Sequence, residues 1–451
     1  MLNRPYLFSF ILLSVLSMGV IQPSPAFAYH KYTIPIEIRS SDGTFQSSFS
    51  ISLDNDAGGV TLAVADLGTD GIPEILVGNG LGNEPRVRVF REDGSEIGSF
   101  LAYAPDMGSG ITIAACDLNT DGQNEIVTGT QYGGGPHVRV FDHLGNPLGP
   151  GFFAYAETFR GGVNVACGDL DGDGVGEIIT GAGVTGGPHV RVWTQEKNIW
   201  NVREEFFAFD PSDRRGVLVH TTHDGNLLIA SQRGATIQTK TFVIHSTPQL
   251  ISSSSLTTTE KGTTSIAEAN DSFFFSSADS ETIFSSNGSS FSATSLTGSS
   301  ELSAGDLDGN GTDEFVLAPA RPLFGPEGTQ YILIDLSEQR LYAYENTILA
   351  HTFLVSTART PWETPLGKHE ILAKIPVVDY TWSYGPGDPN NYSLGPTPWN
   401  LRIYPHVYIH YAWWHNNFGH PMSHGCVNVN LANIKWIYDW ANVGTPVEVR
   451  T

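Results

Sequence analysis

The chain has 451 residues, about three times the usual domain length, so two or more compact units are expected. Lys+Arg 24 against Asp+Glu 47 gives a formal net charge of −23, which repels phosphate backbones and argues against a nucleic-acid binder. An apolar fraction of 40% excludes wholesale disorder, and 49 Gly with only 16% charged residues suit a mainly β chain with many tight turns.

At the N-terminus, Asn3-Arg4 is followed by an apolar run from Leu7 to Ile21 and by Ala26-Phe27-Ala28. This order predicts a secretory signal peptide over residues 1–28, mature Tyr29 and no membrane span after cleavage. No Cys follows at once, which excludes a lipoprotein. Cys116, Cys167 and Cys426 are too few for a disulfide framework.

A repeat then dominates. Ala65-Asp66-Leu67-Gly68-Thr69-Asp70-Gly71 recurs as Cys116-Asp117-Leu118-Asn119-Thr120-Asp121-Gly122, as Gly168-Asp169-Leu170-Asp171-Gly172-Asp173-Gly174, and as Gly305-Asp306-Leu307-Asp308-Gly309-Asn310-Gly311. Weaker units begin near Gly216 and Gly262. Short alternating runs such as Val87-Arg88-Val89-Phe90 read as strands separated by turns. Four strands per unit predict a β-propeller over residues 29–325, with about six or seven blades. Residues 35–66 resemble residues 87–117, so the chain starts partway through a unit, and its first strands should complete the last blade. The Ser/Thr-rich stretch 246–300 leaves the blade count open; its alternating Phe and Ile runs argue for strands over a disordered linker.

Within these units, Asp169, Asp171, Asp173 and Glu177 stand at positions 1, 3, 5 and 9 of a loop with Gly174 at 6. Asp117, Asn119, Asp121 and Glu125 repeat the arrangement, as do Asp306, Asp308, Asn310 and Glu314. Alternate oxygens converging on a tight turn suit a hard cation such as Ca2+ in a structural role. Alternatively, the Asp side chains only cap turns. The units resemble FG-GAP/VCBS repeats of integrin-like propellers, which implies calcium in these loops and leaves a cell-surface ligand open. Cys116 and Cys167 are expected to be small apolar strand residues; their different phase before the loops counts against a disulfide.

After Gly325-Pro326 the pattern changes. Residues 329–451 read as a second, β-rich unit, with strands at Gln330 to Asp335, Arg340 to Glu345 and Thr347 to Val355. A helix is expected from Leu431 to Ala441, capped by Asn430, with Leu431, Ile434 and Ile437 on its buried face. The segment from Ile409 to Asn428 holds His410, His415, His420, His424 and Cys426. A Cys-His pair can attack an amide carbonyl and hold the acyl group as a thioester, the imidazole lowering the thiol pKa. The amides around Gly425 and Cys426 could face the oxyanion. Competing readings are an inert buried Cys, a zinc site, and a polar loop of hydrogen-bonded His. No common zinc spacing is matched.

Ser423-His424-Gly425-Cys426-Val427-Asn428, with His410 placed 16 positions before Cys426, resembles the catalytic signature of the YkuD family of L,D-transpeptidases. Val355-Ser356-Thr357 with Thr364-Pro365-Leu366-Gly367, and Gly444-Thr445-Pro446-Val447, are similar to further family landmarks. The resemblance implies that Cys426 is the nucleophile, His410 the general base and His424 a supporting residue, with the Gly425 and Cys426 amides on the oxyanion. It implies no catalytic cofactor. Ser423, Asn428, Tyr411, Trp413 and Trp414 line the substrate side; the two Trp form a water-excluding lid or pack beneath the loop. Family members often have Gly or Ser where Tyr411 stands, which is tolerable if only its carbonyl orients His410. The implied activity is an exported bacterial enzyme of the periplasm, cell wall or outer surface. It would acylate itself with a peptidoglycan tetrapeptide stem and transfer the acyl group to an amine, giving 3→3 cross-links, or to water. The alternative is a propeller-based adhesion protein whose C-terminal domain is inactive or an anchor.

Overall fold

The computed structural model describes residues 32–450 apart from 54–57, 106, 232–235, 245–246, 258–262, 278–281, 287–289, 293–299, 320–329, 346–347, 384 and 389–390. The expected leader and the Gly325-Pro326 boundary lie outside the described residues. Among those described, the chain is mainly β, with the α-helix Leu431–Trp440.

Residues 32–319 form six four-stranded antiparallel sheets. One of them orders Val163–Gly168, Glu177–Ala182, His189–Glu196 and Ile199–Phe207. Its second strand is buried throughout, because both of its faces are covered, and its apolar run follows from that. Its last strand is exposed along much of its length, and Glu205 meets water there. The sixth sheet joins the two ends of the repeat region. Tyr32–Arg39 pairs with Glu314–Pro319, Glu37 opposite Leu317, as the offset in repeat phase predicts. The first strands of the sheets also neighbour one another in turn. Gly58–Ala65 lies beside Ile111–Cys116, then follow Val163–Gly168, Val217–Thr221, Thr263–Ala269 and Ser300–Gly305, and the last returns to Gly58–Ala65. The described part of residues 246–300 holds one whole sheet and flanking strands.

The expectation for two of the cysteines is corrected. Cys116 and Cys167 are joined in a disulfide, with their Cα atoms 5.8 Å apart. Cys116 ends and Cys167 nearly ends the first strands of consecutive sheets, and those strands run side by side. The one-residue difference in phase does not prevent pairing.

Residues 330–450 build two further sheets. The first orders Ile348–Leu354, Arg340–Glu345, Gln330–Asp335, Pro446–Arg450 and Gly367–Glu370, and its third and fourth strands run parallel. The second orders Ala373–Trp382, Tyr392–Tyr404, Val407–Tyr411 and Val427–Val429, with the last pair parallel. Ile332, Ile334, Leu341, Leu401, Ile409, Val427 and Val449 share one core with Ile434 and Ile437 of the helix. Asn430 caps that helix, its side chain accepting from Asn433 N at 2.9 Å. Leu431, the first residue of the helix, is exposed, against expectation. Burying each of those isoleucines contributes about 2 kcal/mol. The outer face of the first sheet, Leu333, Tyr342, Tyr344 and Leu349, packs against Leu81 of the repeat region.

The disulfide spans a sequence separation of 51 residues. Replacing Cys116 and Cys167 together by Ala should lower unfolding free energy by about 2–4 kcal/mol in urea titration, and added reductant should then have no further effect.

Candidate active site

Strand pairing sets the frame. His410 stands opposite Asn428 in the parallel pair Val407–Tyr411 and Val427–Val429. Cys426 immediately precedes the second strand, two positions from Asn428, so alternation puts Cys426, His410 and Asn428 on one face. Tyr380, from Ala373–Trp382, touches the same face. Its ring stacks on that of His410 with centroids 4.4 Å apart, and the Cys426 sulfur is close enough for its charge to raise the Tyr380 pKa further. The Tyr380 hydroxyl donates to Asn400 Oδ1 at 2.8 Å, and the Asn400 amide donates to Thr397 O at 2.8 Å.

His410 is 2% exposed, and burial pulls its pKa down to about 4. Its Nδ1–H donates to the carbonyl of Tyr411 at 2.9 Å, which leaves Nε2 as the bare nitrogen. The carbonyl does the orienting, so the bulk of Tyr411 is harmless. Its side chain, expected on the substrate side, instead packs half-buried against the core and edge-on to Trp399.

Cys426 keeps partial solvent contact as a residue. Burial of its sulfur nevertheless pushes the thiol pKa up to about 11, with the Tyr408 N–H favouring the thiolate only in part. The sulfur donates to His406 O at 3.8 Å. The expectation of a depressed thiol pKa is therefore corrected: at neutral pH the resting pair is a thiol and a neutral imidazole.

The Ser423–Cys426 turn is braced by the segment expected to accompany it. Thr357 O accepts from Ser423 N at 3.0 Å, Thr364 Oγ1 donates to Gly425 O at 3.0 Å, and Ser356 and Asn428 exchange both backbone bonds. Gly425 has φ +134°, a conformation that L side chains rarely adopt. Ser423, expected on the substrate side, is buried: its hydroxyl donates to Cys426 O at 2.5 Å and accepts from Gly425 N at 3.1 Å. Of the two amides expected to face an oxyanion, that of Gly425 is thus committed to the turn. Asn428 is also buried, and its amide lies 3.0 Å from His415 Nε2. Since His415 Nδ1 accepts from Asn417 N at 3.2 Å, its proton sits on Nε2, and the Asn428 oxygen is the atom that must face it.

His424 is packed among aromatic side chains. It stacks on Tyr392, meets Trp362 edge-on at 4.1 Å, and lies 3.4 Å from Arg359 Nη2. Burial and the Arg359 charge lower its pKa. Trp414 covers His410, with centroids 5.8 Å apart, whereas Trp413 is 56% exposed. Tyr380, Asn400 and Arg359 were not singled out in the sequence; they come from strands and loops far from the signature, and only pairing brings them in.

The acidic loops show two kinds of geometry. In each, the first Asp accepts from backbone N–H groups within the turn, as Asp169 does from Gly172 and Gly174. The closing Glu accepts from the Leu after that Asp, for example Leu118 to Glu125 and Leu307 to Glu314. Among the described residues, carboxylates gather closely enough for a metal at Asp169, Asp171, Glu177 and at Asp306, Asp308, Glu314. In the former, Arg203 Nη1 bridges Asp171 and Glu177 at 2.7 and 2.8 Å. In the loop of Asp117 and Asp121, Asn119 donates to Glu125. The fifth-position residues Asp121, Asp173 and Asn310 accept from the second residue beyond them. None of the gathered metal-competent groups includes the histidines around Cys426.

Residues 329–449 match the family model of YkuD, the L,D-transpeptidase catalytic domain. The C-terminal part of the chain therefore carries a YkuD L,D-transpeptidase catalytic domain. The chain is similar to L,D-transpeptidase 1 of Mycobacterium tuberculosis, 32% identical over 121 residues, covering 23% of this chain and 48% of that protein. It thus spans about half the length of that relative. Among solved structures it is similar to an L,D-transpeptidase from Mycobacterium smegmatis (23% identity, 32% of this chain and 75% of that one, TM-score 0.26). It is also similar to one from Enterococcus faecium (24% identity, 29% and 52%, TM-score 0.25).

A thiol held near pKa 11 sets a measurable pH dependence. Only the thiolate reacts, so its fraction should rise about tenfold per pH unit below the pKa. Alkylation of Cys426 by iodoacetamide, followed by intact mass, should climb from pH 7 through pH 10. A plateau reached near pH 7 would instead reveal a resting thiolate–imidazolium pair.

Proposed function

We propose that the chain is an exported peptidoglycan L,D-transpeptidase in which Cys426 is the nucleophile and His410 the general base. The observation that carries this reading is the buried, neutral His410, oriented by the Tyr411 carbonyl on the face it shares with Cys426. With the thiol protonated at rest, sulfur attack and proton loss go together. As Cys426 Sγ bonds to the carbonyl carbon of the L-centre of a tetrapeptide stem, its proton passes to His410 Nε2. The charge gathering on the carbonyl oxygen is met by the Cys426 amide. The C–N bond then breaks, the His410 proton leaves with the amine of the departing D-Ala, and a thioester remains. An acceptor amine attacks that thioester while giving a proton to His410. The C–S bond breaks and the sulfur recovers the proton. Throughout, the proton on Nδ1 stays hydrogen-bonded to the Tyr411 carbonyl, and Trp414 shields the ring from water. A stem amine as acceptor gives a 3→3 cross-link; water gives carboxypeptidase turnover.

The six sheets with consecutive first strands, closed by the N-terminal strands, support a six-bladed propeller over residues 29–325, followed by the catalytic domain over residues 329–451. Export through a signal peptide agrees with the Cys116–Cys167 disulfide, a bond kept in oxidising compartments. Calcium is proposed as a structural ligand for the Asp306, Asp308 and Glu314 loop, where carboxylates converge and no arginine ion pair is found among the described residues. At Asp171 and Glu177, Arg203 already supplies the positive charge.

Two experiments test this. Purified protein incubated with tetrapeptide stems should release D-Ala and form dimers seen by mass spectrometry, and Cys426→Ala should abolish both; turnover surviving in that variant would sink the cysteine assignment. Calorimetric titration should detect calcium binding that Asp308→Asn weakens at least tenfold. Unchanged binding would remove calcium from that loop.

A further inference from the structure

Arg359 lies against the nucleophile turn with no acidic partner among the described residues, in a chain of net charge −23. Its position is fixed by backbone: Arg359 N donates to Ser423 O at 3.1 Å, its carbonyl accepts from Trp362 N at 2.8 Å, and Ala358 bridges to Ser423. Its side chain is held by neutral groups alone. The guanidinium lies over the Trp362 ring, 5.3 Å from the centroid, and Nη2 points at His424 Nε2. His424 is kept neutral by burial and by Arg359 itself, so it supplies no competing charge. Arg359 is exposed, and a guanidinium has five donors, so a fork of N–H groups remains free to meet a planar anion.

We propose that Arg359 is a specificity-determining residue that binds a free carboxylate of the acyl-donor peptide: the terminal carboxylate of the leaving residue, two bonds beyond the scissile nitrogen. The inference rests on the transpeptidase reading of the Cys426 site. Aromatic and imidazole walls hold the fork in place without neutralising it, an arrangement suited to a bidentate carboxylate. A strongly acidic chain repels an anionic peptide, and a cation braced against the Ser423–Cys426 turn offsets that repulsion.

The test compares a stem tetrapeptide with the same peptide amidated at its C-terminus. Binding is measured by calorimetry to Cys426→Ser protein, with and without Arg359→Gln. The acid should bind at least tenfold more tightly than the amide to Cys426→Ser. Adding Arg359→Gln should erase that preference by weakening the acid alone, and Arg359→Lys should restore part of it. Iodoacetamide should alkylate Cys426 at the same rate in Arg359→Gln and wild-type protein, which shows the turn to be intact. An equal affinity for acid and amide, or a preference that survives Arg359→Gln, overturns the proposal. The transpeptidase reading is judged separately, by turnover of the wild-type protein; binding that discriminates without turnover would keep the carboxylate site and remove the reaction.

Discussion

The site depends on a hydrogen bond that costs the sequence nothing in side chains: His410 Nδ1–H to the carbonyl of the next residue, Tyr411. It fixes which nitrogen is bare, and burial then keeps that nitrogen unprotonated far below neutral pH. Because the acceptor is backbone, the side chain that follows His410 is free to pack elsewhere. Tyr411 uses that freedom to join the core. Around this bond the Tyr380 ring and the Trp414 indole cover the imidazole, and Asn400 holds the Tyr380 hydroxyl. The protein thus holds a dry, neutral imidazole rather than a charged one. The cost falls on the thiol, whose ionisation burial opposes.

Much of the fold was legible in the sequence because its signals are local. Acidic loops recurring at near-constant intervals marked the repeating unit, and alternation marked the strands. The phase offset between Tyr32–Arg39 and later units pointed to the strand exchange that closes the last sheet. The helix was legible from the Asn430 cap and the Ile434 and Ile437 spacing, though Leu431 falls outside the buried stripe. What failed was contact between elements. Two cysteines out of phase in sequence meet because neighbouring sheets face each other, which no count along the strands reveals.

The site divides in the same way. Cys426 and His410 stood out through their spacing; His410 lies on the strand that pairs with Val427–Val429, which Cys426 immediately precedes. The roles of the surrounding residues were harder to read. Ser423 and Asn428 were expected to face substrate, yet both are buried and support the turn. His424 lies in an aromatic wall with Trp362 and Tyr392. Tyr380 and Asn400 carried no signal of their own, since Tyr in an alternating strand reads as ordinary packing. In the acidic loops one composition supports two outcomes. Arg203, far away in sequence, converts one carboxylate cluster into an ion-pair network and leaves its counterpart at Asp306 without it.

The sheet shared by Tyr32–Arg39 and Glu314–Pro319 also orders events during synthesis. The earliest strands to emerge must wait, unpaired on one edge, until nearly the whole repeat region has been made. Closing so long a loop is slow. A chain made from its N-terminus therefore builds the other sheets first and completes this one late. The catalytic portion follows only after its last strand has become available.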